Sequence, residues 1–154
     1  MSSSVFERIE EKLTAAGIAF AVLRHAPVYT SEEAAAIRGV PLHSGAKALI
    51  VKAAEEFVLL VVPADRKLDS KKARAALGVK SLRFASRDEV EQLTGLQPGS
   101  IPPFGSLFGL ATRCDPALQN NEQINFNAGD HCISISMRCA DYLAVERPTL
   151  SEVT

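Results

Sequence analysis

A lysine interrupts a run that is otherwise apolar. In Gly45-Ala-Lys-Ala-Leu-Ile-Val-Lys52, Lys47 shares the parity of Leu49 and Val51, so a period-two reading puts its ammonium on the face those side chains occupy. Two roles fit a cation there. One is a strand-start lysine that snorkels to water or guards an edge against aggregation. The other is a cation at a pocket mouth, where partial desolvation strengthens its pull on a phosphate or a developing oxyanion. A second candidate is the loop Pro98-Gly-Ser-Ile-Pro-Pro-Phe-Gly105. Gly99 and Gly105 place no side chain in the way of a carbonyl oxygen, and Pro102 and Pro103 restrict the free loop, so its peptide N–H groups can be held ready for a ligand. Asn127-Ala-Gly-Asp-His131 is a third turn able to bring backbone close to a ligand; both turns also fit plain connections.

The remaining chemistry is sparse. His25, His43 and His131 complete the histidines, and no H-x-x-x-H, C-x-x-C or H-E-x-x-H occurs, so neither a metal nor a cofactor is expected. Cys114, Cys132 and Cys139 are an odd number without paired spacing, which fits reduced thiols, and nothing local marks a Cys–His nucleophile. G-x-S-x-G, P-loop and G-x-G-x-x-G patterns are absent, which removes the usual serine-hydrolase and nucleotide-binding signals. Net charge is −1, yet the stretch from Arg66 to Arg83 carries seven basic residues against Asp69 alone. Such clustering suits either a phosphate-attracting patch or a solvated helix face.

These residues need elements to hold them. Ser4 with Glu7, Thr30 with Glu33 and Ser86 with Glu89 form capping boxes, predicting helices over 4–16, from Thr30 to Gly39 and from Ser86 to about Gly95. Asp69 caps another that runs to Leu77 before Gly78. Strands are expected at 18–23, 46–53, 57–62, 81–85, 110–114, 123–127 and 132–136, with a hairpin turn at Ala54-Glu55-Glu56 and a last helix over 137–144. The order predicts a single α/β domain over residues 1–154, of the α+β type, with a curved, mostly antiparallel mixed sheet flanked by helices. No apolar run approaches the ~18 residues needed to span a bilayer, and the N-terminal stretch from Met1 lacks a secretory pattern, so a cytoplasmic protein without a membrane partner is expected.

Three elements in order, Lys47 in Lys-Ala-Leu-Ile-Val-Lys, Gly99-Ser-Ile-Pro-Pro103 and Asn127-Ala-Gly129, together with Val61-Val-Pro-Ala-Asp-Arg-Lys-Leu-Asp-Ser-Lys-Lys72, Leu77-Gly-Val-Lys80 and Glu91-Gln-Leu-Thr-Gly95, resemble the YbaK/prolyl-tRNA synthetase-associated editing domains. The resemblance spans roughly residues 20–145 and implies an aminoacyl-tRNA deacylase acting in trans. Its substrate would be tRNA for proline carrying a small amino acid such as alanine, cysteine or serine. It places the family's key lysine on Lys47 and its carbonyl-holding G-x-x-x-P loop on Gly99, Ser100, Ile101, Pro102 and Pro103. Phe104, Gly105, Ala48, Asn127, Ala128 and Gly129 are implied as substrate-binding neighbours, and His25, Tyr29 and Thr30 join them as plausible pocket residues between a strand and a helix. Arg66, Lys67, Lys71 and Lys72 would meet the acceptor end of the tRNA. Hydrolysis would rely on water and the terminal ribose hydroxyl, without metal or cofactor. A prolyl-tRNA synthetase is the implied protein partner, and DNA is not one. Ala48 stands where alanine-specific free-standing members carry asparagine, so alanine specificity does not carry over. The alternative is a non-catalytic tRNA- or synthetase-binding module of the same fold.

Overall fold

Capping residues decide where most helices begin. The computed structural model describes residues 4–154, so the start of the stretch inspected for a leader, Met1 to Ser3, lies outside it. Ser4 and Glu7 exchange side-chain and backbone bonds at the head of α1 (Val5–Ala15). β1 (Phe20–Arg24) follows, and Thr30 and Glu33 repeat the box on α2 (Ser31–Arg38). The hairpin strands are β2 (Ala46–Ala53) and β3 (Glu56–Pro63). Asp69 caps α3 (Ser70–Leu77), β4 (Leu82–Phe84) comes next, and Ser86 with Glu89 boxes α4 (Arg87–Thr94). Beyond the long loop lie β5 (Ala111–Cys114), β6 (Gln123–Asn127), β7 (Ile133–Arg138), α5 (Cys139–Glu146) and β8 (Thr149–Leu150).

Three departures from the sequence expectation have local causes. The last helix starts at Cys139 instead of Met137, because Met137 and Arg138 remain paired with Ile124 and Gln123. The hairpin loop has two residues, since Ala53 pairs with Glu56, and Ala54 takes a φ of +55° to close it. β8 was not foreseen: two residues carry no periodicity, and they form a strand only by pairing with β5.

The strands form two sheets that meet at a bridge between Gly45 and Asn125. One, ordered β1-β7-β6, is antiparallel throughout; the other, β4-β2-β3-β5-β8, is antiparallel across its first three strands and parallel from β3 to β8. Between them lies the main core, where Ile50, Leu59 and Val61 meet Phe126, Ile135 and Phe104. Each such side chain stabilises the fold by roughly 1.5–3 kcal/mol of apolar burial. On its far side the second sheet buries Val51, Val58, Leu60 and Val62 near α3, beside Leu68 and Ala73. Both faces of β2 and β3 are therefore covered, which explains why their sequences run nearly continuously apolar. Among the described residues no helix is long and apolar enough to cross a membrane.

One gap in this arrangement makes the site. β4 pairs with β2 only over Val51–Ala53, so among the described residues the first half of β2 has no strand partner on the side opposite β3.

Candidate active site

The bare half of β2 is one wall of a cavity of about 190 Å³; α2 and the turn before it, β6 and the Gly99 loop supply the others. The Ile50 carbonyl accepts from the Ala85 amide, and the Ala54 amide donates to Ser81, so even-numbered peptide groups of β2 point away from β3. By the same alternation the Ala48 peptide groups face the cavity. Lys47 lies opposite Val62, half-buried on the wall, and its ammonium donates to the Arg66 carbonyl at 3.3 Å. That contact ties the ammonium to the backbone of Arg66; Arg66 and Lys67 are exposed, and neither lines the cavity.

The loop is a type II turn followed by buried prolines. The Ser100 amide donates to the Gln97 carbonyl at 3.2 Å, with Pro98 second in the turn and Gly99 third at a φ of +91°. The third position requires positive φ, which is why glycine occupies it. Ser100 is buried; its hydroxyl donates to Gln97 at 2.9 Å and its carbonyl accepts from Gly129 at 2.9 Å. Behind the turn, the Tyr142 hydroxyl donates to the Pro103 carbonyl at 2.6 Å, and Gly105 donates to Thr112 Oγ1 at 2.9 Å. Phe104 is fully buried between Phe126 and Tyr142 in edge-to-face contacts. Among the described residues the Gly99 and Ile101 amides have no hydrogen-bond partner, and these two are the loop residues on the cavity wall.

The other expected residues divide into wall and support. Tyr29 and Thr30 line the cavity; Tyr29 is 68% exposed with its ring 4.8 Å from that of His131, whereas the Thr30 hydroxyl is committed to capping α2. Asn127 also lines it, but both its polar atoms are engaged within the protein. Oδ1 accepts from Arg38 at 2.9 Å and Nδ2 donates to the Gly99 carbonyl at 2.7 Å. Pro102, Pro103, Phe104, Gly105, Ala128 and Gly129 are off the wall, in the packing that shapes the loop and the β6–β7 turn. His25 is also off the wall, its Nε2 2.7 Å from Ser134 Oγ. Lys71 and Lys72 are exposed on α3, Lys72 donating to Thr154 at 2.9 Å.

Arg38 was not foreseen. It closes α2, where a basic residue needs no explanation beyond the helix dipole. In the fold it lines the cavity and donates to Ser134 Oγ at 2.8 Å, and burial lowers its pKa to about 10. It has no carboxylate partner; Arg83 with Glu89 is the ion pair among the described residues. The cavity wall thus holds two cations, Lys47 and Arg38, with no aspartate, glutamate, histidine or cysteine. Such a wall can bind electron-rich oxygen and stabilise negative charge.

Comparison with known proteins gives the same direction. A family model described as an aminoacyl-tRNA editing domain matches residues 25–145. The multifunctional Ser/Thr-tRNA deacylase ProXp-y of Escherichia coli is 35% identical over 153 residues, covering 96% of this chain and 92% of the relative. The prolyl-tRNA editing protein ProX of Acetoanaerobium sticklandii is 30% identical over 109 residues, 70% of this chain and 66% of its own length. A crystal structure described as a candidate trans-editing enzyme for prolyl-tRNA synthetase superposes with a TM-score of 0.86 at 24% identity, covering 100% of this chain and 99% of that one.

Proposed function

The chain belongs to the aminoacyl-tRNA editing domain family, and from that membership we propose that it acts in trans as an aminoacyl-tRNA deacylase, hydrolysing the ester of a mischarged tRNA. The observation that carries the proposal is the joint presence, on one small cavity, of Lys47 and two unbonded loop amides without a carboxylate, histidine or thiol. An aminoacyl ester is already activated, so holding water and ester together and stabilising the oxyanion suffices.

In this reading the Gly99 and Ile101 amides receive the carbonyl oxygen as negative charge develops on it, and Lys47 strengthens the local field and orients the ester. Ser100, Pro102 and Pro103 keep the loop shaped. Water adds to the carbonyl carbon, the tetrahedral species expels the ribose oxygen, and the protons move through water and the neighbouring ribose hydroxyl. The cavity of about 190 Å³ takes the amino acid and leaves the nucleoside outside, where the exposed Tyr29 ring offers a stacking face to the terminal base. Arg66, Lys67, Lys71 and Lys72 follow acceptor-stem phosphates without reading sequence. Residues 1–154 work as one cytoplasmic domain, with a prolyl-tRNA synthetase as the source of its substrate.

The amino acid removed is small. Serine belongs both to the set associated with editing of tRNA for proline and to the name of the E. coli relative, and it is our first choice. The test is a deacylation screen over tRNAs charged with alanine, serine, cysteine, threonine and proline, comparing wild type with Lys47→Ala. Hydrolysis of serine esters, reduced about a hundredfold or more in the variant, is the expected outcome. No hydrolysis by wild type would establish the non-catalytic binding module instead, and unchanged hydrolysis by the variant would remove Lys47 from the mechanism.

A further inference from the structure

We infer that Arg38 is a positioning residue that sets the carbonyl-binding loop through Asn127, an inference that rests on the deacylase reading. A guanidinium has five N–H donors in a rigid fork and is costly to bury without partners. Here the fork is held by two neutral acceptors, Ser134 Oγ at 2.8 Å and Asn127 Oδ1 at 2.9 Å, with no carboxylate to neutralise it. A neutral anchor discharges no charge into a salt bridge, so the full positive field remains on the cavity wall. The geometry also removes the ambiguity of the Asn127 amide. Its oxygen must face the guanidinium, so its nitrogen faces and donates to the Gly99 carbonyl at 2.7 Å. With the Gly99 carbonyl tied back, the next peptide groups of the turn are fixed in direction, including the unbonded Ile101 amide.

Ser134 completes the relay on the other side. His25 Nδ1 lies 2.8 Å from the Ala26 carbonyl, which requires a proton on Nδ1, so in the neutral ring Nε2 accepts from the Ser134 hydroxyl. The serine oxygen is thereby turned toward Arg38 Nε as an acceptor. His25, outside the cavity, therefore reaches the loop through Ser134, Arg38 and Asn127, four side chains drawn from separate elements. A misplacement of the loop amides by a fraction of an ångström is felt mainly in the transition state, where the oxyanion forms, and only weakly in ground-state binding.

The test compares wild type, Arg38→Met, Arg38→Lys and Asn127→Asp in single-turnover hydrolysis of seryl-tRNA, alongside tRNA affinity and thermal melting. Asn127→Asp keeps an acceptor for Arg38, now charged, but replaces the donor to Gly99 with an oxygen that repels its carbonyl. It should melt no lower than wild type and still lose about tenfold to a hundredfold in rate. Arg38→Met should lose rate by a similar factor with tRNA affinity unchanged within about twofold, and Arg38→Lys, lacking the fork, should not restore it. Near wild-type rates for Asn127→Asp, or a parallel loss of affinity and rate in the Arg38 variants, would overturn the inference. A wild-type protein without activity on any charged tRNA would instead sink the deacylase reading itself.

Discussion

Gly99 holds a φ of +91°, and a β-carbon there would come within 3.6 Å of His131 Cε1. The space is tolerable; the backbone is not. Gly99→Ala should therefore cost about 1–2 kcal/mol of stability through conformational strain, measurable by urea denaturation, and should slow hydrolysis as the turn relaxes. Tyr142→Phe tests the opposite end of the loop. Deleting its hydroxyl leaves the buried Pro103 carbonyl without its donor, at a cost of about 1–3 kcal/mol, while the cavity wall keeps every residue it has. At this scale the sequence was informative where a residue violated its surroundings. Lys47 stands out because a cation sits in strand parity with Leu49 and Val51, and Gly99 because it places no side chain in the way of a carbonyl oxygen. Arg38 violates nothing locally, and although Asn127 is marked by its turn, the partners that give each its task lie 96 and 28 residues away along the chain, where only the fold joins them.

Elements with their own punctuation were legible, and those that exist by pairing were not. Capping boxes located α1, α2 and α4 because both partners lie within one turn, whereas β8 and the division into two sheets follow from long-range registers that no local pattern encodes. The β2–β3 turn yields a prediction of its own. Ala54 at φ +55° occupies the position where a two-residue hairpin favours glycine. Relief of about 1–2 kcal/mol of strain is opposed by about 0.4–1 kcal/mol of added chain entropy. Ala54→Gly should then stabilise the protein by roughly 0.5–1 kcal/mol, seen as a higher urea midpoint. The strap after α5 is fastened to Asp115, whose carboxylate accepts from the Val153 and Thr154 amides and the Thr154 hydroxyl. Burial alone would raise this carboxyl, but hydrogen bonds from Val153, Ala117 and Thr154 outweigh it and hold it below its ordinary value. The contact is fully stabilising above the unfolded-state value of about 4 and is lost as pH falls through the lower folded value. The gap in melting temperature between wild type and Asp115→Asn should be widest near neutrality and close in acid; a gap independent of pH would refute the assignment.

Across the whole molecule, a net charge of −1 conceals a basic segment whose lysines and arginines are exposed from Arg66 to Lys80, although Arg83 is taken up by Glu89. Charge reversal at Lys71 and Lys72 together should weaken tRNA binding and flatten its salt dependence by about two phosphate contacts, with little effect on the rate once tRNA is bound; unchanged affinity across a salt series would place the acceptor stem elsewhere. The open half of β2 has one more consequence. Ala34, Ala35, Ala46, Ala48 and Ala64 line the same cavity, and the groups assigned to the carbonyl are main-chain amides. These methyl groups are already what an alanine scan would leave, and the amide part of the site cannot be deleted by truncating side chains, whereas Lys47 and Arg38 can be. A larger side chain at one of these alanine positions would narrow what the cavity accepts and leave the peptide groups untouched. Dissecting the amide half of the site therefore means adding atoms beside it, while its cations are tested by removal.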